Sequence, residues 1–186
     1  DIITNYGTHC AERQIERAPL RRGKTVLSSR RGASSHVHNP FLILCDSETS
    51  ETAGSAYGLV LVYSGSFSAS VEGTQFGAAR ALIGLNPEGF GWMLEPGASF
   101  TTPEADLCFS DDGLGGLSHR FHKAFRRNLC RGKFRDARRP VLLNMWEACY
   151  FGFDEARIKK IADCSADLGV ELLVIDDGWF GRRDTH

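Results

Sequence analysis

Apolar and polar residues along the first 110 positions alternate or run in strand-sized blocks. Phe41-Leu-Ile-Leu-Cys45 is an unbroken apolar run behind Asn39-Pro40, a natural strand entry. Tyr57 to Tyr63 is rich in Leu and Val, and Ser64-Gly65 can reverse the chain after it. Phe67, Ala69 and Val71 then alternate with Ser66, Ser68, Ser70 and Glu72, the period of two that marks a half-buried strand. Turn signals at Asn86-Pro-Glu-Gly89 and Glu95-Pro-Gly97 bracket Phe90–Leu94. Short strands spaced about ten residues apart predict a β-sandwich.

The period changes after Asp111-Asp112-Gly113. Leu114, Leu117, Phe121, Phe125 and Leu129 recur at helical spacing and predict a helix over 114–131. Its other face carries Arg120, His122, Lys123, Arg126 and Arg127, read as a solvated or interdomain face. A basic linker without periodicity, 132–139, separates a first domain, 1–131, from a second, 140–186. There Val141–Asn144 reads as a short buried strand. A helix follows, with Asp154 as N-cap, Glu155 in its first turn, Ile158, Ile161, Ala162 and Leu168 facing inward, and Gly169 as its stop. Val170–Ile175 reads as a second buried strand. Strand, helix, strand is the order of a parallel α/β unit, and the start of a truncated (β/α)8 barrel fits it, since a whole barrel needs about 250 residues.

Composition adds bounds. The 186 residues are 42% hydrophobic and 24% charged, with 20 Gly and 12 Phe, as suits a soluble, strand-rich body. A formal charge of −1 gives no reason to expect nucleic acid or an anionic membrane as partner, and no run of about 18 apolar residues suggests a membrane span. Asp1 is not an initiator Met; a chain that begins mid-gene is favoured over processing. The six cysteines have irregular gaps and no CxxC pair, and read as buried or half-buried free thiols of a cytoplasmic protein. Neither His36/His38 nor His119/His122 has a cysteine at ligand spacing, which argues against zinc, and no cofactor is expected.

Candidate chemistry lies directly after the two C-terminal strands. Asp176-Asp177-Gly178-Trp179 follows the second, and Trp146-Glu147 follows the first. Adjacent carboxylates must be solvated, paired or turned to a polar ligand, because burying unpaired charge is costly. Carboxylates that accept hydroxyl hydrogens beside aromatic faces suit a pyranose ring. Each motif also admits a structural reading: an Asp after a strand serves as an N-cap, and Glu147 can pair with a base such as Arg139. An Asp pair can hold Mg²⁺ for phosphoryl transfer, but no phosphate-cradling Gly loop follows a strand here. Taken together, the two motifs favour sugar.

The segment RPVLLNMWEACYFGFDEARIKKIADCSADLGVELLVIDDGWFGRRD, Arg139–Asp184, closely resembles the start of the catalytic barrel of glycoside hydrolase family 36 α-galactosidases. SSHVHNPF (Ser34–Phe41), YSGSF (Tyr63–Phe67), GLNPEGFGWMLEPGASFTTPE (Gly84–Glu104) and GLSHRFHKAFRRNL (Gly116–Leu129) resemble its N-terminal β-supersandwich and connecting helix. The resemblance implies retaining hydrolysis of terminal α-galactosyl groups of melibiose- and raffinose-type oligosaccharides. It implies that Asp176 and Asp177 accept hydrogen bonds from galactose O4 and O6, that Trp146 lines the same subsite, and that Trp179 belongs to the same motif. Cys149 stands where the family often has Thr, and Met145 where it often has Asn. The family's nucleophile, in a K-x-D-type motif, and its acid/base are aspartates of later barrel strands, so none of these residues is expected to be catalytic and the chain alone is expected to be inert. The family further implies a homo-tetramer. Galactosyl transfer, action on α-N-acetylgalactosaminides, and a non-catalytic carbohydrate-binding sandwich are the competing readings. An open, two-stranded C-terminal part also predicts preferential proteolysis within 130–186.

Overall fold

A computed structural model describes residues 1–181, so the last three residues of the resembling segment, 182–184, lie outside the described residues. The chain divides into two compact units, Asp1–Leu129 and a second that begins at Cys130. Among the described residues no helix is long and apolar enough to cross a membrane.

The first unit holds eight strands: β1 (Ile2–Thr8), β2 (Ala11–Ala18), β3 (Gly23–Ser28), β4 (Phe41–Cys45), β5 (Ala56–Val62), β6 (Phe67–Gly73), β7 (Ala79–Leu85) and β8 (Glu104–Ser110). They form two antiparallel sheets, β2-β1-β4-β5-β8 and β3-β6-β7. The sheets pack face to face through Ile2, Leu42 and Leu61 on one side and Leu27, Phe67, Ala69 and Val71 on the other. The predicted alternation in β6 explains this: Phe67, Ala69 and Val71 all point into that core.

The opposite face of the five-stranded sheet is covered by helix α1 (Gly113–Ala124), whose Leu117 and Phe121 bury against Ile3, Ile43, Cys45 and Ala56. Strand β4 is therefore buried on both faces, which is why its sequence is an unbroken apolar run. Gly58 makes the helix fit, since a Cβ there would lie 2.5 Å from the Phe121 ring. The helical stretch is shorter than its periodicity predicts. It changes to a π turn at Phe125–Leu129 and ends there, before residue 131. Phe90–Leu94 forms no strand; Phe90 and Trp92 instead gather around Phe100 at 5.9 and 4.9 Å between ring centroids, largely exposed.

In the second unit, β9 (Leu142–Asn144) and β10 (Leu172–Val174) pair in parallel and in register. Helix α3 (Glu155–Asp167) lies between them in sequence. Asp154 caps it as predicted, its side chain accepting from the Arg157 N–H at 2.8 Å. Gly169, at φ +85°, ends it, with the Val170 N–H returning to the Ser165 carbonyl.

Three expectations fail here. The strands are not buried: Leu142 is 52% and Leu172 43% exposed, since nothing among the described residues covers those side chains. Leu168 is 86% exposed instead of facing inward, lying past the last helical turn. All six cysteines are free, but Cys10, Cys130 and Cys164 are exposed and not sheltered, and only Cys45 and Cys149 are buried.

Candidate sugar-binding site

Both motifs sit just beyond the parallel strand pair. The register matches Asn144 with Val174, so Trp146 and Asp176 each stand two residues past the last paired position. The ladder extends one step further through the Met145 N–H to the Val174 carbonyl at 3.1 Å. Met145 itself is 2% exposed and anchors the turn from below. Parallel pairing delivers both chain segments to the same sheet end, whereas an antiparallel pair would send them to opposite ends.

Asn144 ties the two segments together. Its Nδ2 donates to Asp176 Oδ2 at 2.6 Å, and its Oδ1 accepts from the Trp146 backbone N–H at 2.9 Å. Asp176 is exposed, while Asp177 is half-buried, its Oδ1 accepting from the Gly178 N–H at 2.8 Å. No helix follows Asp176 among the described residues, so neither carboxylate serves as an N-cap there. The cation-holding alternative gains no support, since no cluster of three or more His, Cys, Asp or Glu suited to a metal occurs among the described residues.

Trp146 opens a one-turn helix, α2 (Trp146–Cys149), which the sequence pattern does not predict. Its half-buried indole meets Tyr150 and Phe151 edge to face, at 5.3 and 4.9 Å between centroids. The turn after α2 is held from two sides. Arg157 donates from Nη1 to the Gly152 carbonyl at 2.6 Å and from Nη2 to the Ala148 carbonyl at 2.9 Å. The Tyr150 hydroxyl donates to Glu147 Oε2 at 2.9 Å, so Glu147 engages a phenol and forms no bond to Arg139 among those observed. That hydrogen bond, and next the charge of Glu147, raise the Tyr150 phenol above its usual range. Tyr150 also takes φ +46°, ψ −124°, a strained backbone for a residue with a side chain.

Gly178 stands at φ +84°, and a Cβ on it would meet Phe151 Cδ1 at 2.8 Å. The glycine of the Asp-Asp-Gly-Trp motif is thus required twice, by backbone conformation and by the ring beside it. Trp179 is 65% exposed and contacts Phe180 edge to face at 5.6 Å, with no contact to Trp146 among those observed. Trp146 and Asp176 are thus brought together through Asn144, Asp177 lies next to them in the chain, and Trp179 stands apart. Asn144, Tyr150 and Phe151 are the contributors that sequence reasoning passed over. The asparagine two residues before the Trp-Glu pair, at a strand end, was the available signal.

The arrangement can accept hydroxyl hydrogens beside an aromatic wall. The comparisons with known proteins give the family. The description "Glycosyl hydrolase family 36 N-terminal domain" matches residues 1–95, and "Melibiase" matches residues 99–186. The chain belongs to glycosyl hydrolase family 36. It is 53% identical to alpha-galactosidase AgaA of Geobacillus stearothermophilus, over 99% of this chain and 25% of that protein. It is 47% identical to the bifunctional alpha-galactosidase/sucrose kinase AgaSK of Mediterraneibacter gnavus, over 99% of this chain and 20% of that one. An AgaA variant crystallised with stachyose superposes with a TM-score of 0.93 at 51% identity, over 99% of this chain and 26% of that structure. An alpha-galactosidase from Lactobacillus brevis superposes equally well, at 0.93 and 44% identity, over 100% of this chain and 25% of that structure. The chain therefore spans about a quarter of the length of these relatives.

Proposed function

We propose that these residues supply the galactose-binding part of a retaining α-galactosidase acting on terminal α-galactosyl groups of melibiose- and raffinose-type oligosaccharides. Asp176 and Asp177 accept hydrogen bonds from the sugar O4 and O6 hydroxyls, Trp146 walls the ring, and Trp179 flanks the pair. The observation that carries this reading is the Asn144–Asp176 bond, which brings the carboxylate after β10 to the tryptophan after β9.

The same two carboxylates are not a catalytic pair. A retaining glycosidase needs its nucleophile and acid/base about 5–5.5 Å apart on either side of the scissile bond. Neighbours in sequence at one strand end line one rim, so cleavage falls to other residues of the complete gene product. In this reading 1–131 is a β-supersandwich domain with its connecting helix, 132–139 a linker, and 140–186 the opening strands of a (β/α)8 barrel. The working enzyme is a cytoplasmic homo-tetramer that needs no cofactor.

The test is hydrolysis of melibiose, raffinose and p-nitrophenyl α-galactoside by the complete gene product, against its D176A and D177A variants. Turnover by the wild type, with KM raised in both variants, is the expected result. A wild type that binds galactosides without cleaving them would replace the enzyme with a carbohydrate-binding module. Preference for an α-N-acetylgalactosaminide would move the reading to that substrate.

A further inference from the structure

We propose that Asn144 is a positioning residue of this subsite: it aims the Asp176 carboxylate at substrate and joins it mechanically to the turn that carries Trp146. The inference rests on the galactoside reading above and adds a residue that acts only through another. Its ground is the use of both ends of one amide. Oδ1 is committed to the Trp146 N–H at 2.9 Å, and an amide flipped end for end would set N–H against N–H. The NH₂ group is therefore forced toward Asp176, which it meets at 2.6 Å.

Two consequences follow for Asp176. One oxygen, Oδ2, is turned to the amide, which leaves Oδ1 as the oxygen turned to a sugar hydroxyl. The donor is also neutral, so no protein cation competes with the ligand for the carboxylate, as Lys or Arg would. Other side chains fail on one count or another. Ser and Thr offer one hydroxyl where two opposite functions are needed. Gln adds a methylene and loses the tight return to the N–H two residues on. Asp keeps that return but sets a second carboxylate against Asp176.

The last case provides the test. In N144D two carboxyl groups face each other, and contact survives only while they share a proton. KM and kcat for p-nitrophenyl α-galactoside are measured on the complete gene product from about pH 4.5 to 8, for wild type, N144A, N144D and D176A. Asp177, Glu147 and Tyr150 on the same two turns, and Arg157 that holds one of those turns, are present in every Asn144 variant, so the ratio to wild type cancels them. N144A should raise KM about ten-fold or more, the loss of one hydrogen bond to a charged group, with a smaller change in kcat and a pH-independent ratio to wild type. N144D should lose at least as much near neutral pH and recover as the pH falls, because the shared proton restores a donor toward Asp176. General damage to the fold would not be repaired by acid. A flat N144D ratio, or N144A with wild-type KM, overturns the positioning role while a raised KM in D176A keeps the galactoside reading. Wild-type turnover by D176A overturns both.

Discussion

Replacing Gly178 by Ala tests the geometry that places the Asp-Asp-Gly-Trp motif. Gly178 sits at φ +84°, where an L-residue costs about 1–2 kcal/mol. The new Cβ would lie 2.8 Å from Phe151 Cδ1, closer than real contacts allow, and 3.5 Å from Cε1, an ordinary contact. Phe151 is 66% exposed, so its ring can swing outward, and the overlap costs nearer 1 than 3 kcal/mol of the usual overpacking range. Swinging out also gives up the edge-to-face contact with Trp146, worth about 0.5–1.5 kcal/mol. The total comes to roughly 2.5–4.5 kcal/mol of local stability. Hydrogen exchange on the complete gene product reads it directly at two amides. Met145 donates to the Val174 carbonyl at 3.1 Å and Tyr150 to the Trp146 carbonyl at 2.7 Å. Even about 2 kcal/mol speeds their exchange by roughly thirty-fold if opening is local. F151A on the G178A background should recover the overlap and leave the backbone cost. Exchange within about 0.5 kcal/mol of wild type in G178A, or strict additivity of the two substitutions, would refute the account.

Three further outcomes are expected. D154A removes the cap of α3 and should cost that helix about 1 kcal/mol, read as faster exchange of the Arg157 amide; unchanged exchange would deny the cap its role. The Tyr150 phenol holds its proton more firmly in the folded state. Whatever stability this contributes is complete below the ordinary phenol value of about 10 and is lost as pH rises through the raised one. Ultraviolet titration of E147A, with Y150F as the blank, should move that phenol downward, and an unmoved curve would remove Glu147 as the cause. Limited trypsin digestion of the 186-residue chain should cut first after the basic residues of 131–139 and leave a fragment that contains all of Asp1–Leu129, whereas equal protection of both units would contradict their separation.

What could be read in advance followed from which faces are buried. Phe41–Cys45 and Phe67–Val71 were legible because the sandwich core and α1 impose a pattern on them. Strand β2 was not: all eight of its residues are exposed, so backbone pairing with β1 and the polar bonds of Arg17 hold it and leave no hydrophobic trace. Strand β9 was legible from its apolar run, yet the inference from apolar to buried failed, since nothing among the described residues covers Leu142. In the site, Trp146, Asp176 and Asp177 stood out as chemical types in motifs. Asn144 did not, because its role exists only through a partner 32 residues away. Tyr150 was hidden for a different reason: its strained backbone and its bond to Glu147 have no sequence pattern.

The register of β9 and β10 says why the two motifs belong together. Asn144 pairs with Val174, and the chain then takes two more residues on each strand to reach Trp146 and Asp176. Equal offsets from an in-register parallel pair put the two side chains at equivalent heights beyond one sheet end, where open α/β sheets and barrels build their sites. A two-stranded ladder of three pairs does not by itself distinguish those architectures, and a fold would not determine the chemistry in any case. The chemistry comes from what the carboxylates already touch. Asp176 receives an amide N–H and Asp177 a backbone N–H, so both are held as acceptors beside an aromatic wall, and neither is poised opposite a partner acid. In the proposed reading that arrangement grips hydroxyl groups. In the proposed enzyme, the bond-breaking groups must then approach the sugar from residues other than this pair, and damage to Asn144 should appear first in how tightly galactose is held.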